Sequence, residues 1–448
     1  MSGVRRVLGV GAVAAAVVAA GVAWWLRGPG PTAFAEGPTV ALADYRGTNP
    51  TGVPAALAQA SLVERGEYLA RAADCMVCHT AKGGKEFAGG LAFALPFGTL
   101  YSTNITPDKD TGIGGYSNQD FLNALHRGVR KDGARLYPAM SYTSYTYMTD
   151  ADALAIKAYL FSLPPVRATP PANTLGFPFN QRWAMGFWSA VFNADTRFEP
   201  NTAKSPEWNR GAYLAEALAH CGECHTPRNI AFAMDNRAKF AGAVTGGWRA
   251  FNISSDSSTG VGAWREEELV SYLSTGHAAG RGTASGPMGE AVDHSFSRMA
   301  PEDIRAMVVY LKSVPAVASS DLPAAPAPAA PASHKEGGGA ALAQGKKIFE
   351  GACASCHGWT GESPVSPFAT ITGSWAVNDP AATNVAQIVI SGTARHTPQG
   401  VLSMPAFGKI YSDTEIAAVA NYVTARFGAK GAQLTEKDIV SLRKQAAE

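Results

Sequence analysis

The 448-residue chain is short of charge and of cysteine. Only 17% of its residues are charged, and 38 Lys+Arg against 36 Asp+Glu leave a formal net charge of +2. The basic residues are scattered, so the basic stripe of a nucleic-acid binder is missing. Hydrophobic residues make up 46%, which is enough for packed cores and too much for a disordered chain. No glycine fingerprint for a flavin or nicotinamide nucleotide follows a predicted strand. Lone Ser, His and Asp residues occur without a spacing that would make a catalytic constellation, so no substrate chemistry is expected on this chain. Six cysteines, with none left over from pairs, do not read as a disulfide framework.

Their spacing is informative. Cys75 and Cys78, Cys221 and Cys224, and Cys353 and Cys356 are three C-x-x-C pairs, followed at once by His79, His225 and His357. C-x-x-C-H is the attachment signature of c-type haem. Two thiols one helical turn apart each form a thioether with a vinyl group of one macrocycle, and the adjacent histidine falls under the iron. A dithiol redox pair or a zinc site would suit one match. Three matches that use every cysteine predict three covalently bound haem c groups, with the six cysteines as anchors and the three histidines as iron ligands.

The N-terminus points out of the cytoplasm. Arg5 and Arg6 precede an uncharged stretch from Val7 to Leu26, which ends in Trp24 and Trp25. That length suits a membrane-spanning helix, and the arginines place the rest of the chain on the outer side. Ala33-Phe34-Ala35 resembles a leader cleavage site, so a secretory signal remains the alternative.

A repeat runs through the chain. A segment opening on glycine precedes each motif: Gly66-Glu67-Tyr68-Leu69, Gly211-Ala212-Tyr213-Leu214 and Gly345-Lys346-Lys347-Ile348. A helix with a central aromatic closes each unit, around Tyr159, Tyr310 and Tyr422. In the first two units the loop Asn104-Ile105-Thr106 to Gly114 recurs as Asn252-Ile253-Ser254 to Gly262. It reads as a loop wrapping a haem edge, with a calcium site as the minor alternative. The order predicts an all-α fold of three tandem class I-like cytochrome c domains behind an N-terminal transmembrane or signal helix.

A c-type iron with histidine on one side takes Met or His on the other. Twelve residues on from Gly128, Gly276 and Gly392 stand Met140, Met288 and Met404, which are the predicted second ligands. Met148 and Met299 compete, but the third unit has Tyr411 at their position. Met76, Met185, Met234 and Met307 read as packing residues. His126, His220, His277, His294 and His396 share no repeat position and read as surface or propionate-neighbouring histidines.

The boundaries that follow are 1–30 for the signal or membrane anchor and 60–170, 208–316 and 345–427 for the cytochrome domains. An aromatic-rich connector occupies 171–207, an Ala/Pro/Gly linker 317–344, and a polar tail 428–448. The connector, with Trp183, Phe187, Trp188 and Phe192 near helical spacing, reads as a helix packed across two domains, or as a contact surface for a partner or the membrane. The linker joins the third unit less tightly than the first two are joined.

The strings RGEYLARAADCMVCHT, YSTNITPDKDTGIGGYSNQDF, GVRKDGARLYPAMSYTSY and MPAFG resemble the tri-haem cytochrome c subunit of bacterial membrane-bound periplasmic dehydrogenases. The resemblance covers roughly residues 60–430. It implies an electron-transfer subunit, not an enzyme. Such a subunit takes electrons from a catalytic dehydrogenase subunit and passes them to membrane ubiquinone, at the periplasmic side of the cell inner membrane. The stretch Phe179 to Phe192 looks more like cytochromes paired with molybdenum aldehyde dehydrogenases, alongside a small iron-sulfur subunit, than with quinoprotein alcohol or flavin dehydrogenases. The alternative is a free-standing membrane-anchored multihaem cytochrome that shuttles electrons to a terminal oxidase.

Overall fold

The computed structural model describes residues 2–319, 340–397 and 400–446, with side chains from Val13 onward. Each Cys-x-x-Cys-His segment lies between an opening and a closing helix. The opening helices are Leu62–Ala72, Pro206–Tyr213 and Ala340–Ile348; the last two run on into π-helical turns at Leu214–Leu218 and Phe349–Cys353. The closing helices are Asp150–Ser162, Pro301–Ser313 and Asp413–Phe427. Side-chain caps start most of them. Ser61 and Glu64, and Ser412 and Glu415, form capping boxes, while Thr149 and Ser205 accept from the third backbone N–H, which satisfies amides that the helix itself leaves unpaired.

The repeat glycines mark where the two helices cross. A β-carbon on Gly66, Gly211 or Gly345 would overlap the carbonyl of Ala155, Ala306 or Ala418 respectively. Only glycine lets the backbones approach this closely. In each unit the closing-helix tyrosine (Tyr159, Tyr310 or Tyr422) lies against the same glycine.

The expected all-α fold is corrected by four two-stranded antiparallel sheets among the described residues. They pair Ala92–Leu95 with Gly98–Tyr101, Ala243–Thr245 with Trp248–Ala250, His277–Ala278 with Gly282–Thr283, and Thr393–Thr397 with Gly400–Met404. Two of these hairpins follow directly on the glycines Gly276 and Gly392, both at positive φ. The strands have two to five residues, too few for the alternation by which strands are read from sequence. Their turn chemistry is nonetheless visible: Gly246 and Gly247, at φ 54° and 75°, make a two-residue hairpin loop.

The expected transmembrane segment is also corrected. A helix forms over Ser2–Arg27, yet among the described residues no helix is long and apolar enough to cross a membrane. The end of this helix is tied to the body, with Asn229 Nδ2 donating to the Leu26 carbonyl at 3.0 Å and Asn236 Nδ2 to Pro29 at 3.1 Å.

Units one and two share one hydrophobic core, which includes Leu69, Ile156, Leu214, Leu218 and Ile304, whereas unit three builds its own around Phe349, Ile416 and Val419. Across the shared core the contacts are reciprocal. Tyr68 of the first opening helix donates to Asp303 of the second closing helix at 2.5 Å, and Tyr213 of the second opening helix donates to Asp152 of the first closing helix at 2.5 Å. Arg210 also grips Asp303, at 2.7 and 2.6 Å. Burial together with the neighbouring carboxylates pushes both tyrosines well above their ordinary value. Unit three has Lys347 at this place in its repeat and does not join the exchange.

Unit three meets unit two on another face. Arg395 pairs with Asp293 at 2.9 Å, Arg249 with Asp379 at 3.0 Å, and Trp375 packs edge-on against Trp264. The linker expected at 317–344 lies largely outside the described residues.

Candidate functional site

None of the six cysteines is in a disulfide. Cys75 and Cys78 bound a single helical turn, and Cys224-His225 and Cys356-His357 end two others. A left-handed residue turns the chain into the first two motifs: Asp74 at φ 53° and His220 at φ 40°, each immediately before its cysteine. His220, considered as a ligand from sequence, is this corner residue, and its ring packs edge-on against Tyr145 at 5.4 Å. Burial, helped by the Asp74 and Glu216 carboxylates, pushes the Cys75 and Cys221 thiols up to about 12.

The three motif histidines share one arrangement. His79 Nδ1 lies 2.7 Å from the Thr103 carbonyl, His225 Nδ1 2.6 Å from Phe251, and His357 Nδ1 2.6 Å from Ala369. A carbonyl can only accept, so Nδ1 carries the proton and the Nε2 lone pair is left for a metal. Burial holds His79 and His225 below the usual histidine value, which keeps them neutral.

The carbonyls are themselves held. Asn104, next to Thr103, accepts from Thr106 N–H at 2.9 Å and donates to the Val166 carbonyl at 2.7 Å. Asn252, next to Phe251, accepts from Ser254 N–H at 2.9 Å and donates to the Val317 carbonyl at 2.6 Å. Asp108 and Asp256 fold the same loops by accepting from Thr111 and Thr259. The duplicated loop therefore fixes the acceptor for a histidine far from it in sequence. Unit three lacks the loop and uses the 3-10 turn Pro367–Ala369 instead. Sequence reasoning found the loop but missed this role; its pairing with the haem motif in two units was the available signal.

Met140, Met288 and Met404 are half-buried at the margins of the two cores. Their equal spacing from the repeat glycines is not matched by equal local structure. Met140 lies in a loop, Met288 in the first turn of the helix Gly286–His294, and Met404 at the end of a strand. Their competitors Met148 and Met299 are buried in the shared core. Of the other histidines, His126 is buried, His277 is half-buried and His396 is exposed.

The Cys-x-x-Cys-His turns of units one and two adjoin. Thr143 and Ser144 donate to Glu223, which stands between Cys221 and Cys224, at 2.9 and 3.2 Å. Tyr145 donates to the Ala73 carbonyl at 2.7 Å.

Paired thiols on one turn, beside an imidazole whose Nδ1 is tethered to a carbonyl, define a c-type cytochrome, the class that binds haem c covalently. The cytochrome c family model matches residues 63–164 and 342–426. The chain is 40% identical to the gluconate 2-dehydrogenase cytochrome c subunit of Pantoea cypripedii, over 86% of this chain and 90% of that one. It is 38% identical to the fructose dehydrogenase cytochrome subunit of Gluconobacter japonicus, over 89% of this chain and 86% of that one. It is also 41% identical to a nicotinate dehydrogenase subunit of Pseudomonas putida, over 83% of this chain but spanning only 31% of that longer protein. The chain belongs to the cytochrome c subunits of membrane-bound dehydrogenases, and it transfers electrons for a catalytic partner.

Proposed function

We propose that the chain carries three haem c groups and conducts electrons from a periplasmic aldehyde-oxidising dehydrogenase to ubiquinone. Cys75 and Cys78 would anchor the first haem, with His79 and Met140 as its iron ligands. Cys221 and Cys224 would anchor the second, with His225 and Met288, and Cys353 and Cys356 the third, with His357 and Met404. The domains are 60–170, 208–316 and 345–427. Bound in these sites, haem c would supply one-electron redox chemistry. The chain's own residues orient the histidines through Nδ1, burial keeps His79 and His225 neutral, and the first cysteine of each pair packs against a hydrophobic core.

The observation that carries this reading is the threefold recurrence of a Cys-x-x-Cys-His turn whose histidine Nδ1 is held by a backbone carbonyl. The half-buried placement of Met140, Met288 and Met404, against the full burial of Met148 and Met299, supports the methionine assignments. The catalytic partner is a molybdenum aldehyde dehydrogenase with a small iron-sulfur subunit, as the resemblance of the stretch Phe179 to Phe192 suggests. The work is done at the periplasmic side of the inner membrane.

The intact mass and a pyridine haemochrome assay of the purified chain count the haems, and any number but three overturns the reading. The purified complex then identifies the donor. Haem reduction by an aldehyde, passed on to added ubiquinone, is the expected result; reduction only by fructose or gluconate overturns the aldehyde assignment.

A further inference from the structure

The loop that carries Met140 is not held by its own unit alone. Past Met140 the chain makes one helical turn, Tyr142–Tyr145, and the Tyr142 N–H donates back to the Met140 carbonyl at 2.7 Å. Methionine and turn therefore move together. The hydroxyls of this turn fasten it to the second unit. Thr143 Oγ1 and Ser144 Oγ both donate to Glu223 Oε1, at 2.9 and 3.2 Å. Glu223 stands between Cys221 and Cys224 and is 8% exposed. Its other oxygen receives Arg228 Nη2 at 2.6 Å, and the same nitrogen donates to the Glu223 carbonyl at 2.7 Å. With both carboxylate oxygens occupied the side chain has one orientation, and hydrogen bonds to a buried carboxylate are of the stronger kind.

We infer that Glu223 is a positioning residue for Met140, so that the attachment turn of the second haem holds the methionine ligand of the first. The inference rests on the methionine assignments proposed above. A thioether is a weak, neutral ligand, and groups that orient a ligand from behind decide how well it competes for the metal. The crossing between the units is mutual in space, because the helix Gly286–His294, which bears Met288, packs on the turn Cys75–Cys78. The polar tether is not mutual. Val77 stands between Cys75 and Cys78 where Glu223 stands in the second motif. Three and four residues past Met140 come Thr143 and Ser144, whereas the same steps past Met288 reach Ala291 and Val292. Neither side of that contact has the groups to repeat the bond, so the control runs from the second motif to the first methionine.

The test reads ligation rather than electron transfer. Oxidised full-length holoprotein is titrated with imidazole, which displaces methionine from ferric iron, and the loss of the red methionine-to-iron charge-transfer band is followed. The step absent from Met140→Ala belongs to the first haem, and the step absent from Met288→Ala to the second. The double variant Thr143→Val, Ser144→Ala leaves the pair of Glu223 and Arg228 intact. In it the first-haem step should move to about tenfold lower imidazole, the worth of one hydrogen bond to a charged group. Glu223→Gln should move the same step in the same direction and the second-haem step less. Thr143→Ser keeps the hydroxyl and should titrate as the wild type. A first-haem step that stays in place overturns the inference, as do three steps that shift together, the mark of general loosening. A Glu223→Gln that moves only the second-haem step also overturns it. If Met140→Ala loses no step, the ligand assignment itself has failed and the inference falls with it, and that failure shows in this variant alone.

Discussion

Arg395 of the third unit is buried against Asp293 of the second, 2.9 Å apart, with the guanidinium also donating to the Gly289 and Thr275 carbonyls. Arg395 is 3% exposed and Asp293 9%, so water cannot compensate the loss of either. Asp293 also receives the exposed ring of His396 at 3.3 Å. Arg395→Met should therefore leave a buried carboxylate short of its main partner and cost about 3–5 kcal/mol of docking. Because unit three has its own core, calorimetry of the holoprotein should show its transition separating downward from that of the other two. One unchanged transition would refute this.

The reciprocal tyrosines make a second prediction. Tyr68→Phe removes a hydrogen bond to a buried carboxylate and should cost about 1–3 kcal/mol in denaturant unfolding of units one and two. Tyr213→Phe should cost a similar amount. Asp303 keeps Arg210 after the first change, whereas Asp152 keeps only the Gly52 amide and the Thr149 cap geometry around it. Tyr213→Phe should thus be the costlier of the two.

A third prediction concerns pH. Burial, with the Arg197 charge beside it, pushes His126 down to about 4. The unfolded chain takes up this proton first, so the stability due to neutral His126 is complete above pH ~6.5 and is lost as pH falls towards the folded value. A shift of this size corresponds to about 3 kcal/mol. Denaturant midpoints measured at pH 7 and pH 4.5 should fall less for His126→Phe than for the wild type. Equal slopes would refute the assignment.

The methionines separate ligand from filler. Met140→Ala should remove one of three low-spin methionine–haem signatures and lower the midpoint potential of that haem, with little loss of stability. Met148→Ala should leave all three signatures in place and cost about 2–5 kcal/mol, because its side chain is fully buried. The opposite pattern would exchange the two roles.

The attachment turns and the tandem repeat were legible because both depend on local chain geometry: a three-residue cysteine spacing, and a glycine wherever two helices cross. Gly66, Gly211 and Gly345 stand out in sequence for the same reason that Ala155, Ala306 and Ala418 stand opposite them in space. The hairpins were not legible, since strands as short as His277–Ala278 leave no periodic trace. Nor were the tethers. Thr103 and Phe251 contribute only a backbone carbonyl, to which side-chain identity is indifferent, so nothing in their residue type announces the role. The N-terminal segment shows the reverse case, in which an apolar sequence over-predicts. It forms a helix, but among the described residues no helix is long and apolar enough to cross a membrane.

The crossed tyrosines also bear on ancestry. When one copy's residue reaches the other's acid and the favour is returned, the pairing is isologous, the rule of two-fold homodimers. Units one and two are related in this way inside a single polypeptide. They are arranged as a symmetric dimer of one-haem proteins would be after gene duplication and fusion, still meeting through the original self-complementary patch. Unit three, with lysine in the tyrosine's place and a separate core, packs on a different surface of unit two, outside this exchange. A single unit cut from the first pair would therefore expose half of a dimer interface, while the third could be lost or exchanged without disturbing it.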